Sequence, residues 1–194
     1  KCVSENFYIE NFKASILCLD KLIAQNPKDS TLYNDRGSIK EILHDYKGAL
    51  IDFDKQLSID STFADTYFFK AMLYEKMSKK DLALKNYTKT IEYEPNNSDA
   101  YFFRGKLYYY DGNEESAYKD FEKALEKRPN NENVYGFEAL DYIKKNQFDT
   151  ADKMANRGLF IYENCIDCLL AKSIIEYKKN PNIAFEYLFK AFKS

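Results

Sequence analysis

Apolar and polar residues recur along this chain with a helical period. Amphipathic stretches of roughly 14 residues follow one another, separated by turn signals such as Asp111-Gly112-Asn113. Pro95-Asn96-Asn97 and Pro129-Asn130-Asn131 mark stops, because proline just past a helix end cannot continue it. Ser30 and Ser98 stand where a side-chain oxygen would cap the helix that follows. The pattern predicts an all-α chain of helix–turn–helix pairs.

The pairs are copies of one unit. Tyr33, Tyr67, Tyr101 and Tyr135 are evenly spaced, and Ala49, Ala83, Ala117 and Ala151 keep the same interval. So do Leu57, Ile91, Leu125 and Leu159, and Pro27, Pro95 and Pro129 share one phase of it. Gly37, Gly105 and Gly158 fall where helices must approach closely, so these glycines read as packing positions and not as a phosphate loop.

With this spacing and these residues the chain resembles the tetratricopeptide repeat family, whose helix–turn–helix unit is about 34 residues long. Residues 98–131 supply Tyr101, Gly105, Tyr108, Ala117, Phe121, Ala124 and Pro129 at the marked positions of that family. Residues 64–97 supply Tyr67, Ala71, Tyr74, Ala83, Tyr87 and Pro95. The outer units drift, with Lys40 for a tyrosine, Ser61 for the proline and Ala155 for an aromatic. The resemblance implies one right-handed α-solenoid superhelix of antiparallel helix pairs over residues 1–194. A partial unit would occupy 1–29, full units 30–63, 64–97, 98–131 and 132–165, and a closing unit 166–194. It also implies a non-catalytic scaffold that binds a protein or peptide segment with apolar anchors.

The stretch from Tyr101 to Tyr110 shows where such a segment would go. At about 100° per residue, Tyr101 and Tyr108 form one stripe, Phe102 and Tyr109 a second, and Phe103 and Tyr110 a third. In the family, positions two, five, nine and twelve of a unit face the concave side. Here they give Asp99, Phe102, Lys106 and Tyr109, preceded by Asp65, Phe68 and Met72 and followed by Leu140 and Ile143. Those nine residues are the expected peptide-binding face, with Tyr101 and Tyr108 as scaffold. Interior packing of the same rings is one alternative. Self-association into a homo-oligomer, or service in assembling a cell-envelope or secretion complex, is another. The family's clamp for a C-terminal carboxylate is not matched, since position five reads Asn34, Phe68, Phe102 and Gly136.

Composition narrows the chemistry. Across 194 residues, 29 basic and 31 acidic side chains leave a net charge of −2, which gives no electrostatic reason to expect nucleic acid. No apolar run reaches the roughly 18 residues of a membrane span. One histidine, His44, falls in a turn, so neither metal nor cofactor is expected. Cys165 and Cys168 are expected to be packing residues, with a redox or disulfide pair as the alternative, and no second C-x-x-C exists to complete a zinc site. The last helix sets Phe185, Leu188, Phe189 and Phe192 against Glu186, Lys190 and Lys193, which reads as a terminal cap with a polar outer face. Residues 1 to 9 begin inside a unit, so upstream sequence or another chain is expected to cover that edge. Two compartments stay open: the cytoplasm, or the periplasm or another extracytoplasmic space if a signal or anchor preceded Lys1.

Overall fold

The computed structural model describes residues 12–177 and 179–193; the edge at residues 1 to 9 lies outside them. Among the described residues there are helices and no strand. They are α1 (Phe12–Gln25), α2 (Ser30–Ile42), α3 (Tyr46–Ile59), α4 (Ala64–Lys76), α5 (Lys80–Tyr93), α6 (Ser98–Tyr110), α7 (Glu114–Lys127), α8 (Glu132–Lys144), α9 (Phe148–Ile161), α10 (Ile166–Glu176) and α11 (Pro181–Lys193). The chain divides into two compact halves between Asn96 and Asn97. In the first, α2 pairs with α3 and α4 with α5, and α1 lies against α2. In the second, the pairs are α6 with α7, α8 with α9, and α10 with α11. The pairs begin in the register of the sequence repeat.

Each of the first four pairs reverses on one residue in the left-handed region: His44 (φ 62°), Ser78 (56°), Gly112 (81°) and Asn146 (58°). These four keep the repeat interval too. Only Gly112 adopts that backbone without a Cβ penalty. The helix caps differ from expectation by one residue. Asp29 accepts from the Thr31 amide at 3.1 Å and Asn97 from the Ala100 amide at 2.9 Å, so Ser30 and Ser98 already lie inside their helices. Ser98 turns inward instead, its hydroxyl donating to the Ala124 carbonyl at 2.8 Å and accepting from Asn131 Nδ2 at 2.7 Å. The carboxylate and amide one residue earlier take the cap because they too accept well from a backbone N–H.

Both halves are built around aromatic rings under small residues. Phe53 and Tyr87 are fully buried in the first half, and Phe121 is in the second. A Cβ on Gly37 would stand 2.8 Å from the Phe53 ring, and one on Gly105 would stand 2.9 Å from the Phe121 ring. The glycines therefore set how closely the two helices of a pair approach. The repeat tyrosines Tyr33 and Tyr135 donate to the carbonyls of Pro27 and Pro129, each at 3.1 Å. This ties the first turn of a pair to the loop before it.

Candidate functional site

The six rings of α6 do not divide as the helical wheel predicts. Phe102, expected on the binding face, is only 4% exposed. It lies 5.9 Å from the Phe121 ring and 6.2 Å from that of Phe137. Tyr101, Phe103, Tyr108 and Tyr109 surround it half-buried, and Tyr110 is 67% exposed. The cause is Phe137 of α8, whose ring enters among Phe102, Tyr109, Tyr110 and Phe121. An angular count along one helix cannot see a ring arriving from another. Phe102 is a core residue, and Tyr101 and Tyr108, expected as scaffold, are less enclosed than it is.

Two more residues of the expected face are held by local bonds. Asp99 accepts from Arg128 Nη2 at 2.7 Å and from Asn131 Nδ2 at 3.3 Å. The Tyr109 hydroxyl donates to Asp141 Oδ1. Asp141 also accepts from the Tyr118 hydroxyl at 2.5 Å and from Lys145 Nζ at 2.8 Å. Burial alone would push the Asp141 carboxyl up, but Lys145, Tyr109 and Tyr118 outweigh it and hold the group below the ordinary carboxylate value. The Tyr109 hydroxyl is pushed up to about 12, first by its bond to Asp141 and then by burial.

Asp65, Phe68 and Met72 belong to the first half, on one side of α4. Asp65 is exposed, while Phe68 and Met72 are half-buried. The Phe68 ring sits edge-on to Phe69 and Tyr87, at 6.4 and 5.6 Å.

In the second half, Lys106 of α6 and Leu140 and Ile143 of α8 come together around a cavity of about 370 Å³. Its walls are Tyr110, Phe137, Leu140, Ile143 and Ile174, and its charged groups are Lys106, Lys144, Asp141 and Asp167. Asp167 and Ile174 come from α10 and were not among the residues expected from the sequence. The signal existed, because they stand one repeat interval after Asn133 and Leu140; the shortened last unit obscured it. Gly136 makes the approach of α10 feasible, since a Cβ there would stand 2.8 Å from the Asp167 Cβ. Burial pushes the Asp167 carboxyl up, against the pull of Lys106. A second cavity of about 610 Å³ shares Ile143 and Ile174 and adds Phe148, Ile175 and Tyr177. Apolar surface therefore flanks Ile143 and Ile174 on both sides.

This arrangement suits binding through apolar anchors with charged groups beside them. Among the described residues, no cluster could hold a metal ion, and no helix is long and apolar enough to cross a membrane. Cys165 and Cys168 are buried, as packing residues would be, and are also joined in a disulfide, the alternative their spacing left open. His44 is exposed in its turn, its Nδ1 3.0 Å from the Tyr46 hydroxyl.

Tetratricopeptide repeat profiles match residues 64–97 and 98–131. No curated protein is significantly similar to the chain in sequence. Solved structures share its fold at low identity. A tetratricopeptide repeat protein from Parabacteroides merdae aligns with a TM-score of 0.78 at 19% identity, covering 98% of this chain and 76% of that one. MamA aligns at 0.72 and 20%, covering 84% and 95%. YrrB, described as a TPR protein with an unusual peptide-binding site, aligns at 0.62 and 20%, covering 90% and 91%.

Proposed function

We propose that this chain, which belongs to the tetratricopeptide repeat proteins, recruits another protein by holding an apolar-anchored segment of it on the face shared by α6, α8 and α10. Its repeats make it a protein–protein interaction scaffold. The finer reading rests on one observation, the cavity walled by Tyr110, Leu140, Ile143 and Ile174 with Lys106, Lys144 and Asp167 beside it. A leucine- or phenylalanine-sized side chain would fill the apolar part, each contributing roughly 1.5–3 kcal/mol when fully buried. Lys106, Lys144 and Asp167 at its edge would favour a segment carrying both signs of charge near its anchors. The fold shared with YrrB, itself a peptide-binding protein by description, supports the reading. Asp65, Phe68 and Met72 offer a second stretch of the same kind on α4.

Selection of short random peptides on the full chain tests this. The winning peptides are expected to carry two or more large apolar residues. Leu140→Asp should weaken their binding about tenfold or more, with the melting temperature little changed because Leu140 is partly open to water. Peptides whose affinity ignores both Leu140→Asp and Ile174→Asp would overturn the proposal.

A further inference from the structure

The last helix departs from expectation. Its apolar stripe was expected to pack inward beneath a polar cap, yet Phe185, Phe189 and Phe192 are 66, 52 and 83% exposed. Ala184 and Ala191 are the residues α11 buries, with Tyr187 and Leu188 half-buried beside them. The three rings lie at i, i+4 and i+7, one face of a helix. Phe185 and Phe189 stack with centroids 6.4 Å apart. At about 200 Å² per ring, they leave roughly 400 Å² of aromatic surface in water. Single exposed apolar residues are ordinary, whereas a contiguous patch of several hundred Å² is often functional.

We propose that this stripe pairs with the same stripe of a second copy of the chain, the two α11 helices running antiparallel about a two-fold axis near Phe189. The stripe is self-complementary in that direction. With Phe189 facing its own counterpart, Phe185 comes opposite Phe192 of the second copy to within about one helical rise of 1.5 Å. Glu186 and Lys190 lie on one flank of the stripe, and Lys193, on the same side, folds its ammonium over the Phe189 ring, 4.4 Å from the centroid. An antiparallel two-fold brings like flanks together, so Glu186 meets Lys193 of the second copy and symmetry repeats the pair at the other end, while Lys190, which comes beside its own counterpart near the axis, is paired with Glu163 of its own chain at 3.6 Å. A parallel pairing would put those flanks on opposite sides and leave the charges unmatched. The rings alone supply about half of the roughly 800 Å² per partner of a standard interface.

Sedimentation velocity of the full chain across a concentration series tests the proposal. The chain is expected to shift from monomer to dimer as concentration rises. Phe189→Glu should raise the dissociation constant about thirtyfold or more while leaving helicity and melting temperature unchanged. Glu186→Lys alone should weaken the dimer, and Glu186→Lys combined with Lys193→Glu should restore it. A chain that stays monomeric at every concentration overturns the proposal, whatever else covers the stripe. So does a dimer indifferent to Phe189→Glu, or a charge swap that restores nothing. None of these variants touches the α8–α10 cavity, so peptide binding there is tested separately.

Discussion

Arg104 holds Asp120 through two parallel hydrogen bonds, Nε to Oδ2 and Nη2 to Oδ1, each 2.8 Å long. Two repeats earlier, Arg36 holds Asp52 in the same way at 3.0 and 2.5 Å. Each pair joins the first helix of a unit to the second, and both acids are almost entirely buried. A forked guanidinium matches a carboxylate as no lysine can.

Removing the arginine strands the acid. Arg104→Ala is expected to cost about 3 kcal/mol, read as a lower denaturation midpoint by circular dichroism. Arg104→Lys should recover only part of it, since one ammonium cannot make both bonds. A variant as stable as the parent would show that water replaces the arginine without penalty.

Phe102 and Leu140 should separate core from surface. Phe102→Ala is expected to destabilise the chain by about 3–5 kcal/mol, because the ring sits among Phe121 and Phe137. Leu140→Ala should cost far less stability and act on ligand binding instead. Thermal melts of the two variants side by side measure the contrast.

Ser78 carries a left-handed backbone (φ 56°) in the α4–α5 turn, where glycine would be free of strain. Ser78→Gly is expected to raise stability by about 1 kcal/mol. Glycine already stands at the equivalent position, Gly112, which makes the α6–α7 turn the internal reference. Differential scanning calorimetry checks the shift.

The Tyr109–Asp141 bond predicts a response at both ends of the pH scale. Asp141 titrates below its ordinary value when folded. Its contribution is present at neutral pH and is lost as pH falls below about 4. Tyr109 is raised to about 12, so its contribution is present below the unfolded value of about 10 and is lost as pH climbs toward the folded one. Tyr109→Phe should remove the tyrosinate absorbance transition expected near that folded value and flatten the alkaline limb of stability against pH.

Gly158 faces the Cys165–Cys168 disulfide. A Cβ there would stand 2.3 Å from Cys168 Sγ, and that sulfur cannot swing aside while bonded to Cys165. Gly158→Ala is expected to cost about 1–3 kcal/mol. Reduction should narrow the gap between variant and parent, measured by melting with and without dithiothreitol.

Local chemistry and the repeat interval were enough to place the helix pairs. Helix–turn–helix units starting at 30, 64, 98 and 132 follow from Tyr33, Tyr67, Tyr101 and Tyr135, since each unit must bury the same stripe against its neighbours. Gly37 and Gly105 were readable as packing positions for the same reason. The candidate site was only partly legible. Lys106, Leu140 and Ile143 do line one cavity, but Asp167 and Ile174 joined them from a last unit that keeps the interval and is shortened after its first helix. Phe102 does not belong to the face expected from the helical wheel because Phe137 covers it, and Phe185, Phe189 and Phe192 stayed in water because α11 buries its alanines instead. A sequence determines which residues share a face of a helix, through bonds and angles within a few turns. Which of two neighbouring faces is covered depends on where another helix arrives, and only the tertiary packing decides that.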